Sequence, residues 1–184
     1  LHGKHVAVHV FGAVARELDR LLRPFNVSVT VFSAGVADSL IREHGAVPAD
    51  SLQTLARGAE IFVTCEALTA ASRGSIDAPV LDGLAPDAVF VNVGRGAVVD
   101  EAALVSAVKT RGLRIACDVF AHEPMAADSP FLDLPDAVLS PHIAGPTRDY
   151  LPVCGRHALR NIARYLAGET PAGLITPEIF DRTT

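Results

Sequence analysis

Cysteine is scarce in this sequence, and the positions of the three cysteines exclude a disulfide framework. Cys65, Cys117 and Cys154 are odd in number, lie far apart and form no C-x-x-C pair. Structural metal sites and disulfide-rich domains need clustered cysteines at characteristic spacings. The histidines other than His142 show no metal-ligand spacing either. We therefore expect three reduced thiols in the apolar interior of a cytoplasmic protein that binds no metal.

An excess of positive charge is also lacking, because 21 Asp and Glu residues outnumber 16 Lys and Arg residues and leave a formal net charge of -5. Proteins that bind nucleic acid usually present a basic surface to the phosphate backbone. No apolar run approaches the roughly 20 residues that a membrane-spanning helix needs. The composition therefore argues against both a nucleic-acid partner and a membrane partner.

The sequence has neither an initiator methionine nor a signal peptide. It begins at Leu1, its single methionine is Met125, and residues 1–5 lead directly into a strand pattern. We therefore expect a fragment, a processed chain or an isolated domain.

Short apolar runs alternate with amphipathic stretches along the chain. Strands are predicted at residues 6–10, 27–32, 61–64, 88–92, 113–117 and 137–139. Helices are predicted at residues 13–23, 39–45 and 51–57, between Asp100 as N-cap and Gly112, and from an N-cap at Asp149 to Gly168. Strands that are apolar throughout belong to a parallel sheet covered on both faces. We predict an α/β fold, a doubly wound parallel sheet of the Rossmann type, followed by a C-terminal helix and an irregular tail.

The first strand–helix turn is the place where such a sheet binds a dinucleotide. The full fingerprint is G-x-G-x-x-G, and this chain has Val10, Gly12 and Ala15 at the three glycine positions. Gly12 allows close approach of a pyrophosphate, and Ala13 and Val14 begin the helix whose N-terminus favours an anion. A β-branched residue does not readily adopt a positive φ, so we expect a turn of different shape at Val10. An ordinary strand–helix turn is the alternative interpretation.

The end of the second strand lacks the acidic residue that usually binds the adenosine ribose. Ser33 stands there, and no arginine follows directly to hold a 2′-phosphate. We predict NAD rather than NADP as the cofactor.

Three motifs in the second half carry a family resemblance. Residues 92–104 match N-x-x-R-G-x-x-V-D-x-x-A-L, residues 118–124 match D-V-F-x-x-E-P, and residues 141–147 match P-H-I-A-G-x-T. Residues 67–74 are similar to P-L-T-x-x-T-x-G, with Ala67 and Ser72 as replacements. In this order the motifs resemble those of the D-isomer-specific 2-hydroxyacid dehydrogenases, and the resemblance covers essentially the whole chain.

The resemblance implies three catalytic residues whose chemistry suits reduction of a 2-oxoacid. Arg95 would clamp the substrate carboxylate, because a guanidinium is planar and always charged. His142 would donate the proton to the developing alkoxide, since histidine exchanges protons near neutral pH. Glu123 would hold the other ring nitrogen of His142 and favour its protonated form. Taken singly, the three could instead be a turn arginine, a loop acid and a structural histidine.

The resemblance also implies a set of cofactor contacts, in which Asp118 would face the nicotinamide carboxamide. The expected cofactor-binding residues are Gly12, Ala13, Val14, Ser33, Val93, Gly94, Asp118, His142, Ala144 and Gly145.

By the same resemblance, residues 1–146 would form the dinucleotide-binding domain, and residues 147–184 a helix and tail that return towards a substrate domain. The N-terminal part of that substrate domain is missing from this sequence, so we expect the chain alone to turn over a small 2-hydroxy or 2-oxo acid poorly. The family forms dimers through the cofactor domain, which implies a homodimer.

Two other functions stay open. The altered glycine turn and Ser33 would suit a non-catalytic module that binds NAD or a protein partner, as in co-repressors of the same fold. The chain could also serve only as an assembly domain. The ordered set of Arg95, Glu123 and His142 favours the NAD-dependent oxidoreductase.

Overall fold

A computed structural model describes residues 1–180, and its centre is one sheet of seven parallel strands. The strands are β1 (His5–His9), β2 (Ser28–Phe32), β3 (Val47–Pro48), β4 (Ile61–Thr64), β5 (Val89–Asn92), β6 (Arg114–Cys117) and β7 (Val138–Leu139). The helices are α1 (Ala13–Leu22), α2 (Asp38–Glu43), α3 (Leu52–Ala56), α4 (Ala78–Gly83), α5 (Glu101–Arg111), α6 (Leu151–Leu166) and α7 (Pro177–Phe180). Short 3₁₀ turns lie at Arg23–Phe25 and Gly96–Val98.

The strand order is β3-β2-β1-β4-β5-β6-β7, which confirms the doubly wound α/β prediction. The chain runs outward from β1 to β3 and then returns to place β4 on the other side of β1. This reversal opens a crevice between the loops that follow β1 and β4, at the carboxyl edge of the sheet.

Apolar packing on both faces explains why the strands are hydrophobic throughout. One face buries Ala7, Phe62 and Phe90, and the rings of the two phenylalanines stack with centroids 5.6 Å apart. The other face buries Val8 and Phe11. Because apolar side chains pack on both sides, the sheet itself is a rigid support for the loops at its edge.

Side-chain caps fix the helices near the site. The carboxylate of Asp100 accepts a hydrogen bond from the Ala103 amide at 3.0 Å, and Gly112 ends α5 in the left-handed conformation. Both ends of α5 confirm the prediction, because the sequence carried the usual cap residues there.

Several predicted features are wrong. Helix α6 begins after Tyr150 without a side-chain cap, so Asp149 is not its N-cap. None of its side chains is buried within the described residues. Helix α7 lies in the tail that was predicted to be irregular, while β3 and α4 were not predicted. These two elements were missed because Pro48 in β3, and the proline and glycine in α4, are residues that disfavour regular strands and helices.

The three cysteines have different environments. Cys117 is buried and Cys65 partly buried, whereas Cys154 is exposed on α6, which corrects the expectation of a third interior thiol. Burial raises the pKa of the Cys65 thiol to about 11 and that of Cys117 to about 12. Both interior thiols are therefore protonated and unreactive at neutral pH. Within residues 1–180, no helix is long and apolar enough to cross a membrane.

Candidate active site and cofactor crevice

Val10 takes up the left-handed conformation that the fingerprint glycine would adopt. Its φ is 74°, so the prediction that a β-branched residue would change the shape of the turn is wrong. Two hydrogen bonds from β2 and its loop hold the turn: the Val10 amide donates to the Phe32 carbonyl at 2.7 Å, and the Phe11 amide donates to Ser33 Oγ at 3.1 Å. These tertiary contacts impose the conformation against its local steric cost.

Gly12 forms an open cradle at the start of α1. Its φ of -76° suits any residue, and a Cβ added there would have no atom within 4 Å. The space in front of Gly12 is thus free, and Ala13 and Val14, the first residues of α1, are exposed at the helix N-terminus. An anion such as a pyrophosphate fits this arrangement of free N–H groups and positive helix dipole.

The loop after β5 presents Arg95 through a buried amide. Asn92 Nδ2 donates to the Arg95 carbonyl at 3.2 Å, and Asn92 Oδ1 accepts from the Gly94 amide at 3.1 Å. The Arg95 guanidinium donates from Nη1 to the Gly94 carbonyl at 2.8 Å and is otherwise exposed, as is Val93. This role of Asn92 was not predicted from the sequence, although its place in the N-x-x-R motif was the signal for it.

Two glycines let this loop touch its neighbours. A Cβ on Gly96 would lie 1.9 Å from the Phe120 carbonyl carbon, and a Cβ on Gly94 would lie 2.4 Å from the Glu66 carbonyl oxygen. Only glycine permits such approaches. The loops after β4, β5 and β6 are therefore packed backbone against backbone, which fixes Arg95 relative to the segment that carries Glu123.

Asp118 anchors the segment that carries His142. One carboxylate oxygen of Asp118 accepts from Ser140 Oγ at 2.5 Å and from the Ile143 amide at 2.9 Å, and the other accepts from the Ala144 amide at 2.8 Å. Burial alone would raise the pKa of Asp118, but these hydrogen bonds outweigh it and lower the pKa. Both oxygens serve the protein's own backbone, and the contact with a nicotinamide carboxamide stays a prediction.

Glu123 and His142 are in direct contact. His142 Nδ1 lies 2.7 Å from Glu123 Oε2, and the Phe120 amide donates to the other carboxylate oxygen at 2.9 Å. The hydrogen bond with His142, followed by that from Phe120, lowers the pKa of Glu123, and the charge of Arg95 lowers it further. The His142 amide donates to the Asp118 carbonyl at 2.8 Å while its φ is 54°. Because Nδ1 of His142 contacts Glu123, Nε2 is the ring nitrogen available to a substrate.

Arg95, Glu123 and His142 line one small cleft. Its volume is about 160 Å³, and Leu68, Gly96, Ala97, Phe120 and Ala121 complete its walls. A second cavity of about 610 Å³ shares Phe120, Glu123 and His142, and is otherwise mostly apolar. A cation, a carboxylate-bound imidazole and an apolar wall in one cleft suit a small acid whose carbonyl is to be protonated.

The structure brings the three predicted catalytic residues together and places the predicted cofactor residues along the same carboxyl edge. The cofactor set follows β1, β2, β5, β6 and β7, namely Gly12, Ala13, Val14, Ser33, Val93, Gly94, Asp118, His142, Ala144 and Gly145. Within the described part of the chain, no group of three His, Cys, Asp or Glu side chains could hold a metal ion.

Comparisons with known proteins agree with this geometry. Residues 1–144 match the family model described as D-isomer specific 2-hydroxyacid dehydrogenase, NAD binding domain. Glyoxylate/hydroxypyruvate reductase B of Enterobacter agglomerans is 35% identical over 130 residues, which is 70% of this chain and 40% of that protein. Glyoxylate reductase of Aeropyrum pernix is 29% identical over 180 residues, which is 97% of this chain and 53% of that protein. The chain thus spans about half the length, or less, of these relatives.

Solved structures show the same likeness. The holo form of D-mandelate dehydrogenase from Rhodotorula graminis superposes with a TM-score of 0.83 at 25% identity, covering 95% of this chain and 52% of that one. A D-isomer specific 2-hydroxyacid dehydrogenase from Xanthobacter autotrophicus Py2 in complex with NADPH and MES gives a TM-score of 0.81 at 28% identity, covering 95% of this chain and 72% of that one.

Proposed function

Because this chain belongs to the D-isomer-specific 2-hydroxyacid dehydrogenase family and carries its NAD-binding domain, we propose that it is the cofactor part of an NAD-dependent oxidoreductase. The enzyme would transfer a hydride between the nicotinamide and a small 2-hydroxy or 2-oxo acid. The observation that carries this proposal is the 2.7 Å contact of His142 with Glu123 in the cleft that Arg95 also lines.

Each residue of the cleft has a distinct task. Arg95 binds the substrate carboxylate by paired N–H donors and so turns the carbonyl towards His142. A bound reduced nicotinamide would supply the hydride to the carbonyl carbon. His142 Nε2 would give its proton to the carbonyl oxygen, which becomes a hydroxyl as the C=O π bond breaks. Glu123 holds the proton on Nδ1 and stabilises the ring while it is positively charged. In oxidation, His142 takes the proton back.

The cofactor residues divide along the crevice. Gly12, Ala13 and Val14 would face the pyrophosphate, with Ser33 on the adenosine side of the turn. The nicotinamide would lie on the side of Val93, Gly94, Ala144 and Gly145, with Asp118 holding that wall. NAD is favoured over NADP because no arginine follows β2 to bind a 2′-phosphate.

The C-terminal helix supports a further part of the proposal. Its apolar side chains Leu159, Ile162 and Leu166 are largely exposed within residues 1–180. We place the dinucleotide-binding domain at residues 1–146 and the returning helix and tail at 147–184.

The enzyme would work as a homodimer in the cytoplasm, where its three free thiols stay reduced.

Reconstitution tests the proposed activity. The chain is mixed with the separately produced N-terminal segment of a glyoxylate/hydroxypyruvate reductase, and NADH oxidation is followed by absorbance with glyoxylate and with hydroxypyruvate. We expect turnover in the mixture well above that of either part. His142→Asn should abolish it, whereas His122→Asn, a change at an exposed histidine in the adjacent loop, should not. Absence of turnover from a mixture that forms a stable complex would overturn the proposal.

The alternative function is a non-catalytic NAD-sensing or protein-interaction module. It was suggested by Val10 and Ser33, which depart from the usual dinucleotide fingerprint. Val10 nevertheless keeps the glycine-like conformation of the turn. A module without catalysis also has no need for a paired His142 and Glu123 next to Arg95, so the oxidoreductase is the better supported function.

A further inference from the structure

A polar pair that the proposed mechanism does not use lies at the switch point of the sheet. His9 ends β1, Glu66 follows β4, and His9 Nε2 lies 3.4 Å from Glu66 Oε2. Strands β1 and β4 are the neighbours between which the chain reverses direction. A doubly wound sheet binds its dinucleotide at this point. The pair therefore lies beside the crevice that Gly12 opens.

The His9 ring lies against the Glu66 carboxylate. The His9 side chain is buried, and its Nδ1 lies 3.2 Å from Thr64 Oγ1. Burial lowers the pKa of His9 to about 4, so the ring is neutral at neutral pH. If Nδ1 accepts from the threonine hydroxyl, the hydrogen lies on Nε2, the ring nitrogen that is 3.4 Å from Glu66 Oε2. The neutral ring does not cancel the charge of the carboxylate.

Glu66 is poised to accept further hydrogen bonds. Its side chain is 18% exposed, and burial raises the pKa of its carboxyl. The backbone of Glu66 is held by the close approach of Gly94. The backbone amide of Ala67 donates to this partly buried carboxylate, which still has unused lone pairs, so hydroxyl donors from a ligand would stabilise it.

The end of β2 lacks an acidic side chain, and Glu66 could take its place. The hydroxyl of Ser33 already accepts the Phe11 amide at 3.1 Å and carries no charge. Phe32, the residue before Ser33, stacks on the His9 ring with centroids 6.1 Å apart. The His9 ring therefore contacts both the Glu66 carboxylate, which follows β4, and Phe32 in the last position of β2.

Resting on the proposed cofactor function, we propose that Glu66, held by His9, supplies the acid that β2 lacks. Its carboxylate accepts hydrogen bonds from the hydroxyls of the adenosine ribose, and its charge repels a phosphate at the 2′ position of that ribose. Glu66 is thereby the residue that selects NAD over NADP.

Calorimetric titration of the 184-residue chain with NADH and, separately, NADPH tests this assignment. The unchanged chain should prefer NADH. Glu66→Gln keeps the shape of the side chain and removes its charge. It should weaken NADH binding about tenfold, as expected for loss of a charged hydrogen bond, and reduce the preference for NADH over NADPH. Glu43→Gln, the same change at an exposed position on α2, is the matched control and should leave both affinities unaltered.

A second-site rescue separates recognition from a merely structural role. Ser33→Asp in the Glu66→Gln background puts an acid at the end of β2 and should restore the NADH preference, while thermal melts confirm that each variant is folded. The assignment would be overturned if Glu66→Gln bound NADH and NADPH with the same affinities as the unchanged chain does. It would also be overturned if the unchanged chain preferred NADPH. Either result would leave the proposed cofactor function standing. If the folded chain bound neither cofactor, both would fail.

Discussion

The imidazole of His142 and the carboxylate of Glu123 meet at 2.7 Å although 19 residues separate them in sequence. The loop after β6 carries Glu123, and the segment after β7 carries His142. The parallel arrangement of β6 and β7 brings both loops to one edge, where Asp118 holds the second of them. The contact between Glu123 and His142 is thus a product of sheet topology.

The pKa of Glu123 is the first testable consequence. Its interaction with His142 lowers that pKa, so the interaction is fully present above the ordinary carboxyl pKa of about 4.3 and is lost as pH falls through the lowered value. We expect a carboxyl ¹³C NMR titration of Glu123 to have its midpoint below the ordinary value. His142→Ala should move the midpoint upward, whereas an unchanged midpoint in that variant would contradict the direct contact.

The left-handed turn at Val10 gives a prediction about stability. Val10→Gly removes the steric cost of a positive φ, while Val10→Ala keeps a Cβ in that conformation. Both variants lose the two γ-methyl groups of valine. We therefore expect the glycine variant to exceed the alanine variant by about 1 kcal/mol in free energy of unfolding, the reverse of the order in ordinary strands. Denaturant unfolding measures the difference, and an alanine variant of equal or greater stability would show that Val10 carries no strain.

Asp118 should be essential for order in the segment that bears His142. Asp118→Asn replaces one acceptor oxygen with a donor that opposes the amides of Ile143 or Ala144. A loss of about 1–3 kcal/mol of stability follows from one unsatisfied buried group. Hydrogen exchange at the Ile143 and Ala144 amides should accelerate. Asp128→Asn, at an exposed loop position, is the control and should leave exchange there unaltered.

Gly96 should tolerate no side chain. Its added Cβ would overlap the Phe120 backbone, so Gly96→Ala must separate the Arg95 loop from the Glu123 loop. We expect a large drop in melting temperature or failure to fold. Gly155→Ala in α6, where nothing lies within 4 Å, should instead be neutral or slightly stabilising because alanine favours a helix by about 1 kcal/mol. Similar melting temperatures for the two variants would contradict the close packing of these loops.

Local signals predicted the parts of the fold that local chemistry decides. The apolar runs predicted β1, β2, β4, β5 and β6, and Asp100 with Gly112 predicted both ends of α5. The family motifs pointed to Arg95, Glu123 and His142, whose meeting in one cleft needs the whole sheet.

Tertiary contacts account for what the sequence did not reveal. The conformation of Val10 was predicted from its own sterics, but a hydrogen bond to Phe32 of the next strand overrides them. Glu66 belongs to no motif, and its interest arises only because β4 pairs with β1 beside His9. The exposed apolar side of α6 shows the same limit, since periodicity predicts an apolar face without saying what covers it.

The most direct test of the account is to locate the cofactor on the chain by NMR. NADH is added to the ¹⁵N-labelled chain, and shifts of the backbone amides are followed. We expect the largest changes at Gly12, Ala13, Gly94, Ala144 and Gly145 along the carboxyl edge of the sheet. Amides near Gly173, in the tail, should not move. Shifts centred away from that edge, or none with saturating NADH, would contradict the proposed cofactor crevice.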